Sequence, residues 1–409
     1  MRHILEGGPS MKKVIFHIDV NSAFLSWEAA DRKRRGEEGI DLRDIPSAIG
    51  GDKSKRHGII LAKSTLAKNF GVKTGESIME ALKKCPDLTI VQPNHKMYTE
   101  YSESFMNILR DYTPDIEQYS IDEAFMDMTG TERLFGEPIK AAETIKNRIK
   151  EELGFTVNVG ISDNKLLAKM ASDFEKPDKI HTLYTDEIEM KMWPLPVGDL
   201  LYVGKSTTNA LSKLGIHTIG ELAKTDIDIL RSNLKKQGEA IWRFANGKDM
   251  SMVETEPEEN KGYGNSTTIP FDVSDESTAK MVLLSLAEKV AGRIRADGVV
   301  AESVSVTIKD FNLQKCSHQM MLNSQTNLTS EIHEAACQLF DELWDGTPIR
   351  LLGIQVGKVS RESASRQINL FDNTDYEKLE AVDKAVDSIR NKYGSGAIKR
   401  AVFMKGEGK

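Results

Sequence analysis

The sequence places two adjacent carboxylates, Asp122 and Glu123, inside an apolar stretch with strand character, residues 119–128. Burying an ionised carboxylate is unfavourable unless a cation or several hydrogen-bond donors compensate its charge. A divalent metal compensates such a pair directly, because Mg²⁺ prefers one or two carboxylates together with substrate phosphates. A third carboxylate is then expected elsewhere in the chain.

The candidate for this third carboxylate is Asp19, which ends a β-branched apolar run and precedes a helix-like segment, residues 22–30. Two such strands side by side would bring Asp19, Asp122 and Glu123 around one pair of metal ions, the arrangement of two-metal nucleotidyl transfer. Successive strand side chains point to opposite faces, so the adjacent pair reaches one metal only across a turn or bulge. Taken alone, Asp19 also fits a helix cap, and Asp122 with Glu123 fits a surface pair.

Two short motifs carry a resemblance to a known family. Residues 19–24, Asp-Val-Asn-Ser-Ala-Phe, and residues 120–124, Ser-Ile-Asp-Glu-Ala, resemble the signature motifs of Y-family translesion DNA polymerases, the DinB and UmuC group. The resemblance extends over residues 12–358. It implies an α+β multidomain fold: a right-hand polymerase with palm, fingers, a helical thumb and a β-α-β-β-α-β little-finger domain. It also implies template-directed, low-fidelity translesion synthesis by two-metal transfer of dNTPs to a primer 3'-hydroxyl.

The resemblance also implies roles for individual residues. The catalytic residues would be Asp19, Asp122 and Glu123, which with the backbone of Val20 would bind two Mg²⁺ ions. Phe24 would be the steric gate that excludes a ribose 2'-hydroxyl. The residues expected to bind the dNTP are Ser22, Ala23, Phe24, Thr65, Lys68 and Lys176. The family commonly has Tyr and Arg at the positions of Thr65 and Lys68, and Lys lacks the bidentate fork of Arg, so a weaker phosphate contact is expected there.

The domains are assigned in chain order. We expect a disordered extension (1–10), a palm (11–27 and 94–183), fingers (28–93), a thumb (184–250), a linker (251–260), a little finger (261–359) and a C-terminal tail (360–409). The thumb contains a segment, residues 200–216, that resembles a helix-hairpin-helix element, with Tyr202 where the first hairpin glycine is usual. Such hairpins contact DNA phosphates without reading sequence. The residues expected to bind DNA are Gly204, Lys205, Lys261, Arg293, Arg295 and Lys309.

The C-terminal tail contains a short apolar motif in polar surroundings. Its residues are Gln367, Ile368, Asn369, Leu370 and Phe371, and they resemble the bacterial sliding-clamp-binding peptide. The exposed Leu-Phe pair would fill a pocket on the clamp. Residues 376–393 then have the periodicity of an amphipathic helix, to which the sequence assigns no function.

Composition limits the remaining properties. The chain has 409 residues, 55 Lys and Arg against 62 Asp and Glu, and a formal net charge of -7. This excess of acid argues mildly against a nucleic-acid partner, so the DNA-binding cations must be concentrated locally. The three cysteines are scattered without metal-ligand spacing, and no long apolar run or signal-like segment is present. We expect a monomer in the cytoplasm that binds primer-template DNA, dNTPs and a sliding clamp, and no membrane.

Two other functions remain as alternatives. A nucleotidyl cyclase also uses palm-like strands and paired carboxylates with Mg²⁺, but it needs no primer or template. A catalytically weak or inactive polymerase relative could act as a clamp-bound adaptor in translesion synthesis, although such a protein should lack one of the three carboxylates.

Overall fold

The structure is a computed structural model that describes residues 12–51, 58–256, 258–361 and 375–404. The predicted N-terminal extension, residues 1–10, and the predicted clamp-binding residues 367–371 lie outside the described residues. By contacts the chain divides into two compact units, with the division between Pro257 and Glu258, inside the predicted linker.

Twelve strands and fourteen α-helices are present in the described residues. The strands are β1 (Ile15–Val20), β2 (Ser47–Gly50), β3 (Ile60–Lys63), β4 (Thr89–Val91), β5 (Ile116–Gln118), β6 (Glu123–Asp127), β7 (Val157–Ser162), β8 (Ile180–Thr182), β9 (Gly262–Val273), β10 (Val300–Asp310), β11 (Lys315–Thr326) and β12 (Ile349–Ser360). The helices are α1 (Ala23–Arg34), α2 (Thr65–Asn69), α3 (Ile78–Lys84), α4 (His95–Arg110), α5 (Glu132–Phe135), α6 (Pro138–Leu153), α7 (Lys165–Ser172), α8 (Ile188–Lys191), α9 (Lys205–Lys213), α10 (Ile219–Lys224), α11 (Ile227–Ala245), α12 (Glu276–Ala296), α13 (Thr329–Leu343) and α14 (Tyr376–Tyr393).

The central element of the first unit is a five-stranded sheet with the strand order β5-β6-β1-β7-β8. Strand β1 lies in the middle and pairs antiparallel with both β6 and β7. Alternate residues of β1 contribute to the two sides of the sheet. Phe16 and Ile18 belong to the large core that also contains residues of α1, α4 and α6, whereas Ile15 packs with Ala168 of α7. By this alternation His17 and Asp19 lie on the α7 side.

Helix α7 approaches the sheet very closely because of one glycine. A Cβ built on Gly160 of β7 would lie 1.9 Å from the carbonyl oxygen of Ala168 and 2.5 Å from the backbone nitrogen of Ser172. Gly160 is also the residue of β7 that pairs with His17 of β1. The absent side chain therefore allows the α7 backbone to lie directly over the centre of the sheet, within reach of His17.

Two further cores complete the first unit. Strands β3, β2 and β4 form a small sheet in that order, and its residues pack with those of α2 and α3 around Ile60 and Ile78. From α8 to α11 the chain is helical and surrounds a separate core that includes Leu211 and Leu222. Helix α10 begins at a capping box, in which Thr218 and Glu221 satisfy each other's backbone N–H groups.

The second unit has the element order β9-α12-β10-β11-α13-β12, the β-α-β-β-α-β order that the sequence predicts. Its four strands are all antiparallel, in the spatial order β11-β10-β12-β9. Helices α12 and α13 cover one face of the sheet, where Val304, Val306 and Ile308 of β10 are buried. Helix α14, predicted from its periodicity, packs against α12. Within the described residues, no helix combines the length and apolarity that a membrane crossing requires.

Candidate active site

The structure brings the predicted carboxylates to one edge of the five-stranded sheet. Asp19, near the end of β1, lies directly opposite Glu123, the first residue of β6, in the antiparallel pairing. Asp122 precedes the strand in a bend, where its Oδ1 accepts a hydrogen bond of 2.7 Å from the Ser120 hydroxyl. The backbone N–H of Val20 donates to the carbonyl oxygen of Asp122 at 3.0 Å, which joins the two segments. Asp122 therefore lies in a bend and Glu123 begins the strand. This is the local irregularity that two adjacent carboxylates need in order to reach one metal site.

Two lysines form ion pairs with members of this group of acids. Nζ of Lys176 lies 2.9 Å from Oδ1 of Asp19 and 2.8 Å from Oδ1 of Asp173. Nζ of Lys169 lies 2.7 Å from Oε2 of Glu123. Burial acts against the charge of Lys176, but Asp19 and Asp173 outweigh it and raise the pKa of the ammonium group. Lys169 was not singled out from the sequence.

The two facing carboxyls titrate very differently. Burial raises the pKa of Asp19 to about 7, and a hydrogen bond with the nearby Glu123 carboxyl adds to this effect. Burial also acts to raise the pKa of Glu123, but the neighbouring His17 and Lys169 outweigh it and hold that pKa below its usual range. The site therefore has more carboxylate charge than its own cations compensate, and it is suited to take up additional positive charge.

A buried histidine lies next to Lys169. His17 is fully buried, its Nδ1 lies 2.7 Å from the Ser172 hydroxyl, and its Nε2 lies 3.5 Å from Nζ of Lys169. The Ser172 hydroxyl donates to the carbonyl oxygen of Lys169, and Nε2 of His17 also lies 3.8 Å from Oε2 of Glu123. Burial lowers the pKa of His17. The close approach at Gly160 makes the whole network possible.

The residues present fit a divalent cation in their chemistry. The donors are hard carboxylate oxygens, and Val20, whose backbone was predicted to take part, directly follows Asp19. No group of three His, Cys, Asp or Glu within the described ranges already has the arrangement of a metal site. The ion pairs explain this, since Asp19 and Glu123 are each held by a lysine and Asp122 by Ser120.

Phe24 lies in the first turn of α1, directly after the strand that carries Asp19. Its ring stacks on Tyr98 with centroids 4.6 Å apart, and it contacts Trp27 and His95 at 5.8 and 6.4 Å. The side chain is only partly buried, so it packs on the core and still presents a surface to solvent. Ser22 and Ala23 form the start of the same helix, where the first backbone N–H groups have no intrahelical acceptor.

The predicted triphosphate contacts in the fingers lie on a short, exposed helix. Thr65 and Lys68 belong to α2 and are both exposed. Lys63 at the end of β3 lies in the same region, where burial and the charge of Lys68 lower its pKa. Lys63 was not identified from the sequence, and its strand contacts α1, the helix of Phe24.

The segment predicted to resemble a helix-hairpin-helix element follows a short 3-10 helix (Val197–Asp199) and contains a turn and α9. Gly204 is the N-cap residue, and Gly204 and Lys205 are both exposed. Tyr202 adopts φ 66°, the left-handed region that glycine enters without a steric penalty. Its hydroxyl lies 3.4 Å from the hydroxyl of Tyr119, the residue before the Ser-Ile-Asp-Glu-Ala motif. The aromatic replacement of glycine therefore contacts the catalytic stretch.

The predicted DNA contacts of the second unit have different environments. Lys261 is exposed and forms an ion pair with Glu258, Arg293 is exposed, and Lys309 is partly exposed. Arg295 differs from these three: its side chain is 5% exposed and lies 3.0 Å from Asp383 and 2.7 Å from Asp387, both of α14. Its charge is therefore already paired inside the domain, and a contact of Arg295 with DNA stays a prediction.

Comparisons with known proteins agree with this fold. Models of the impB/mucB/samB family match residues 18–173, and that family's C-terminal domain matches residues 260–370. A model described as DNA polymerase-iota, thumb domain, matches residues 198–249. A solved Y-family DNA polymerase chimera of Dbh and Dpo4 superposes with a TM-score of 0.73 and 22% identity, covering 85% of this chain and 100% of that one. The fold class predicted from the sequence is confirmed.

The matches define the family. The chain belongs to the Y family of DNA polymerases, represented by the impB/mucB/samB models. Within it, the chain is 48% identical to DNA polymerase IV of Clostridium acetobutylicum, over 98% of this chain and 100% of that protein. It is 38% identical to DNA polymerase IV 2 of Bacillus subtilis, over 97% and 96% of the two chains.

The contact between Lys169 and Glu123 leads to a first prediction. Lys169→Met should lower the rate of nucleotide incorporation by about 10- to 100-fold, the usual effect of removing a group that orients a metal ligand. The measurement is single-nucleotide incorporation at several Mg²⁺ concentrations. Lys165→Met is the matched control, because Lys165 is on the same helix, has a similar exposure (13% against 11%) and pairs with Glu117 instead. Equal losses in the two variants would contradict a specific role of Lys169.

Proposed function

We propose that this protein is a template-directed DNA polymerase that performs low-fidelity translesion synthesis by two-metal nucleotidyl transfer. The observation that supports it best is the position of Asp19 directly opposite Glu123, with Asp122 in the adjoining bend, in a chain of the Y family. This places three carboxylates from two segments at one edge of the palm sheet, where a primer end and a nucleotide can meet them.

The three carboxylates and the carbonyl oxygen of Val20 would hold two Mg²⁺ ions. When bound, such ions activate the attacking primer 3'-hydroxyl and stabilise charge on the leaving pyrophosphate. Glu123 is kept ionised and oriented for this purpose by Lys169. Burial raises the pKa of Asp19 to about 7 although Lys176 acts against this rise, so a bound cation would further favour the ionised form.

Lys176 is free to change partners during the reaction. Its side chain is partly exposed, and it lies between two carboxylates at nearly equal distances. With Asp19 bound to a metal ion, the ammonium group of Lys176 would turn to the triphosphate. Lys68 and Thr65 on α2 would contribute from the fingers, and Lys63 adds a second cation there. Lys offers a point charge without the directional fork of Arg, so these contacts hold the phosphates loosely.

The start of α1 would bind the rest of the nucleotide. The unpaired N–H groups at Ser22 and Ala23 suit phosphate oxygens, as helix N-termini generally do. The ring of Phe24, supported from beneath by Tyr98, would lie under the sugar and exclude a 2'-hydroxyl. Selection would then depend on sugar shape more than on tight phosphate contacts.

DNA would be held by several weak contacts. In the thumb these are Gly204 and Lys205, and in the second unit Lys261 and Lys309. Arg293, also predicted to bind DNA, lies on α12, on the other side of the sheet from Lys309, so it would not contact the same stretch of DNA. Residues 367–371 would bind a sliding clamp, which raises the effective concentration of the enzyme at a primer end. We propose that the polymerase acts as a monomer on the clamp.

Primer extension tests this function. The full chain, an undamaged or lesion-bearing primer-template and dNTPs are combined with Mg²⁺, and a second reaction contains excess chelator. We expect template-dependent extension only with Mg²⁺, with misincorporation when one dNTP is omitted. A cyclic product from a single nucleotide without primer would identify a cyclase. Absence of extension, with or without clamp, would overturn the proposal in favour of an adaptor.

A further inference from the structure

Helix α14 is an integral part of the second unit. Arg295 of α12 is nearly buried and bridges Asp383 and Asp387 of α14. Glu288 of α12 accepts a hydrogen bond from Arg390 at 3.1 Å. Removing one partner of such a buried pair would leave an uncompensated charge, so these contacts hold α14 firmly in place. The surface between the two helices is therefore preformed.

This surface is a groove of about 1100 Å³ between α12, α14 and the residues that follow α14. Seven of its lining residues are Lys or Arg and only two are acidic. The basic residues are Lys289, Arg293, Arg295, Lys384, Arg390, Lys392 and Lys399. Because the chain as a whole carries a net charge of -7, this groove is a strong local reversal of sign.

The two acidic residues do not neutralise the groove. Glu288 and Asp387 are already occupied by Arg390, Arg400 and Arg295. Four exposed lining cations form no ion pair within the described part of the chain: Lys289, Arg293, Lys392 and Lys399. Cations of like charge along one cleft attract and concentrate anions.

An aromatic side chain accompanies these cations. Tyr393 directly follows Lys392, the residue is 67% exposed, and Nζ of Lys392 lies 5.1 Å from its ring centroid. Phe403 lines the groove itself and is partly exposed. Exposed aromatic rings beside basic side chains are typical of surfaces that bind single-stranded nucleic acid, where bases stack and phosphates pair with cations. An acidic peptide would use the cations but not the stacking surface.

The groove does not lie on the open face of the four-stranded sheet. Helices α12 and α13 cover one face of the four-stranded sheet, and the groove lies on α12 where α14 packs against it. Lys309 lies near the end of β10, an inner strand of the sheet. It alternates with residues that are buried beneath the helices, so it belongs to the open face. A strand bound between α12 and α14 would therefore be separated from DNA on the open face by the helices and the sheet.

We propose that the groove between α12 and α14 is a second nucleic-acid site that binds a single DNA strand through its phosphates. This site is additional to the polymerase active site and does not require catalysis. It would retain an unpaired template segment close to the enzyme, which raises the effective concentration of that segment.

Fluorescence anisotropy of a labelled oligothymidylate tests this proposal. The full chain is first saturated with unlabelled, fully paired duplex DNA. The active site is then occupied and does not contribute to the anisotropy of the labelled oligonucleotide. The variant Lys289→Glu/Lys392→Glu/Lys399→Glu should bind the oligonucleotide at least about tenfold more weakly. The slope of log K against log salt should fall by about 2, since each phosphate contact on a single strand contributes roughly 0.7.

A matched variant controls for net charge. Lys96→Glu/Lys140→Glu/Lys378→Glu makes the same charge change at exposed positions outside the groove, and it should keep both affinity and salt slope. Both variants should retain primer extension, which shows that the fold and the active site are intact. Equal affinity of the groove variant and the unchanged protein for the oligonucleotide would overturn the proposal. Equal competition by polyglutamate of the same charge would also overturn it and indicate a site for acidic peptides.

Discussion

Replacing Asp122 by Asn together with Glu123 by Gln is expected to slow single-nucleotide incorporation by at least about 10³-fold, or about 4 kcal/mol in transition-state free energy. The amides keep the shape of both side chains and can accept the hydrogen bonds from Ser120 and Lys169. They remove two negative charges from the site, however, and with them the electrostatic attraction for two divalent ions. The measurement is rapid-quench primer extension with saturating dNTP and increasing Mg²⁺.

The control for this variant lies on the same strand. Asp127→Asn removes a carboxylate at the other end of β6, where an amide oxygen can still accept the hydrogen bond from the backbone of Thr129. Incorporation by this control should remain near that of the unchanged chain. Thermal unfolding should show that the double variant is folded, because relief of carboxylate repulsion offsets the weaker contact with Lys169. A double variant with more than about a tenth of the original rate would contradict the metal-ligand assignment.

The second large effect is expected in the selection between deoxyribose and ribose in the incoming nucleotide. Phe24→Ala should reduce the preference for dNTP over rNTP by about 10²-fold, the discrimination that one close contact in a pocket can supply. The ring is held from beneath by Tyr98 and from the side by Trp27, so it cannot easily move away from a 2'-hydroxyl. The ratio of kcat/KM for dCTP and CTP opposite a template guanine measures this preference.

A substitution that keeps the aromatic ring distinguishes the role of Phe24 in sugar selection from its role in packing. Phe24→Tyr keeps the aromatic surface and should retain the preference for deoxynucleotides. Phe24→Ala also removes contacts with the core, so thermal unfolding should be compared in both variants. If Phe24→Ala incorporates dNTPs but still rejects rNTPs as strongly as the unchanged chain, another residue excludes the 2'-hydroxyl.

Local patterns in the sequence were sufficient for much of the fold. Helix α14 follows from periodicity, which depends on residues three to four positions apart, and the resemblance implied the β-α-β-β-α-β order of the second unit. The two motifs around Asp19 and Asp122 identified the family, which the comparisons confirm. The need for a bend between Asp122 and Glu123 followed from strand geometry alone, and the structure contains that bend.

The partners of the charged groups were decided only by the tertiary structure. Lys169 and His17 have no distinctive local pattern, and they reach Glu123 because Gly160 lets α7 approach the sheet. Arg295 has the same local pattern as a surface arginine, yet α14 covers it and supplies two carboxylates. Ion pairing depends on distance through space, and these partners are far apart along the chain. The sequence by itself determined the family, the element order of the second unit and the three candidate acids, whereas packing determined which cations pair with those acids.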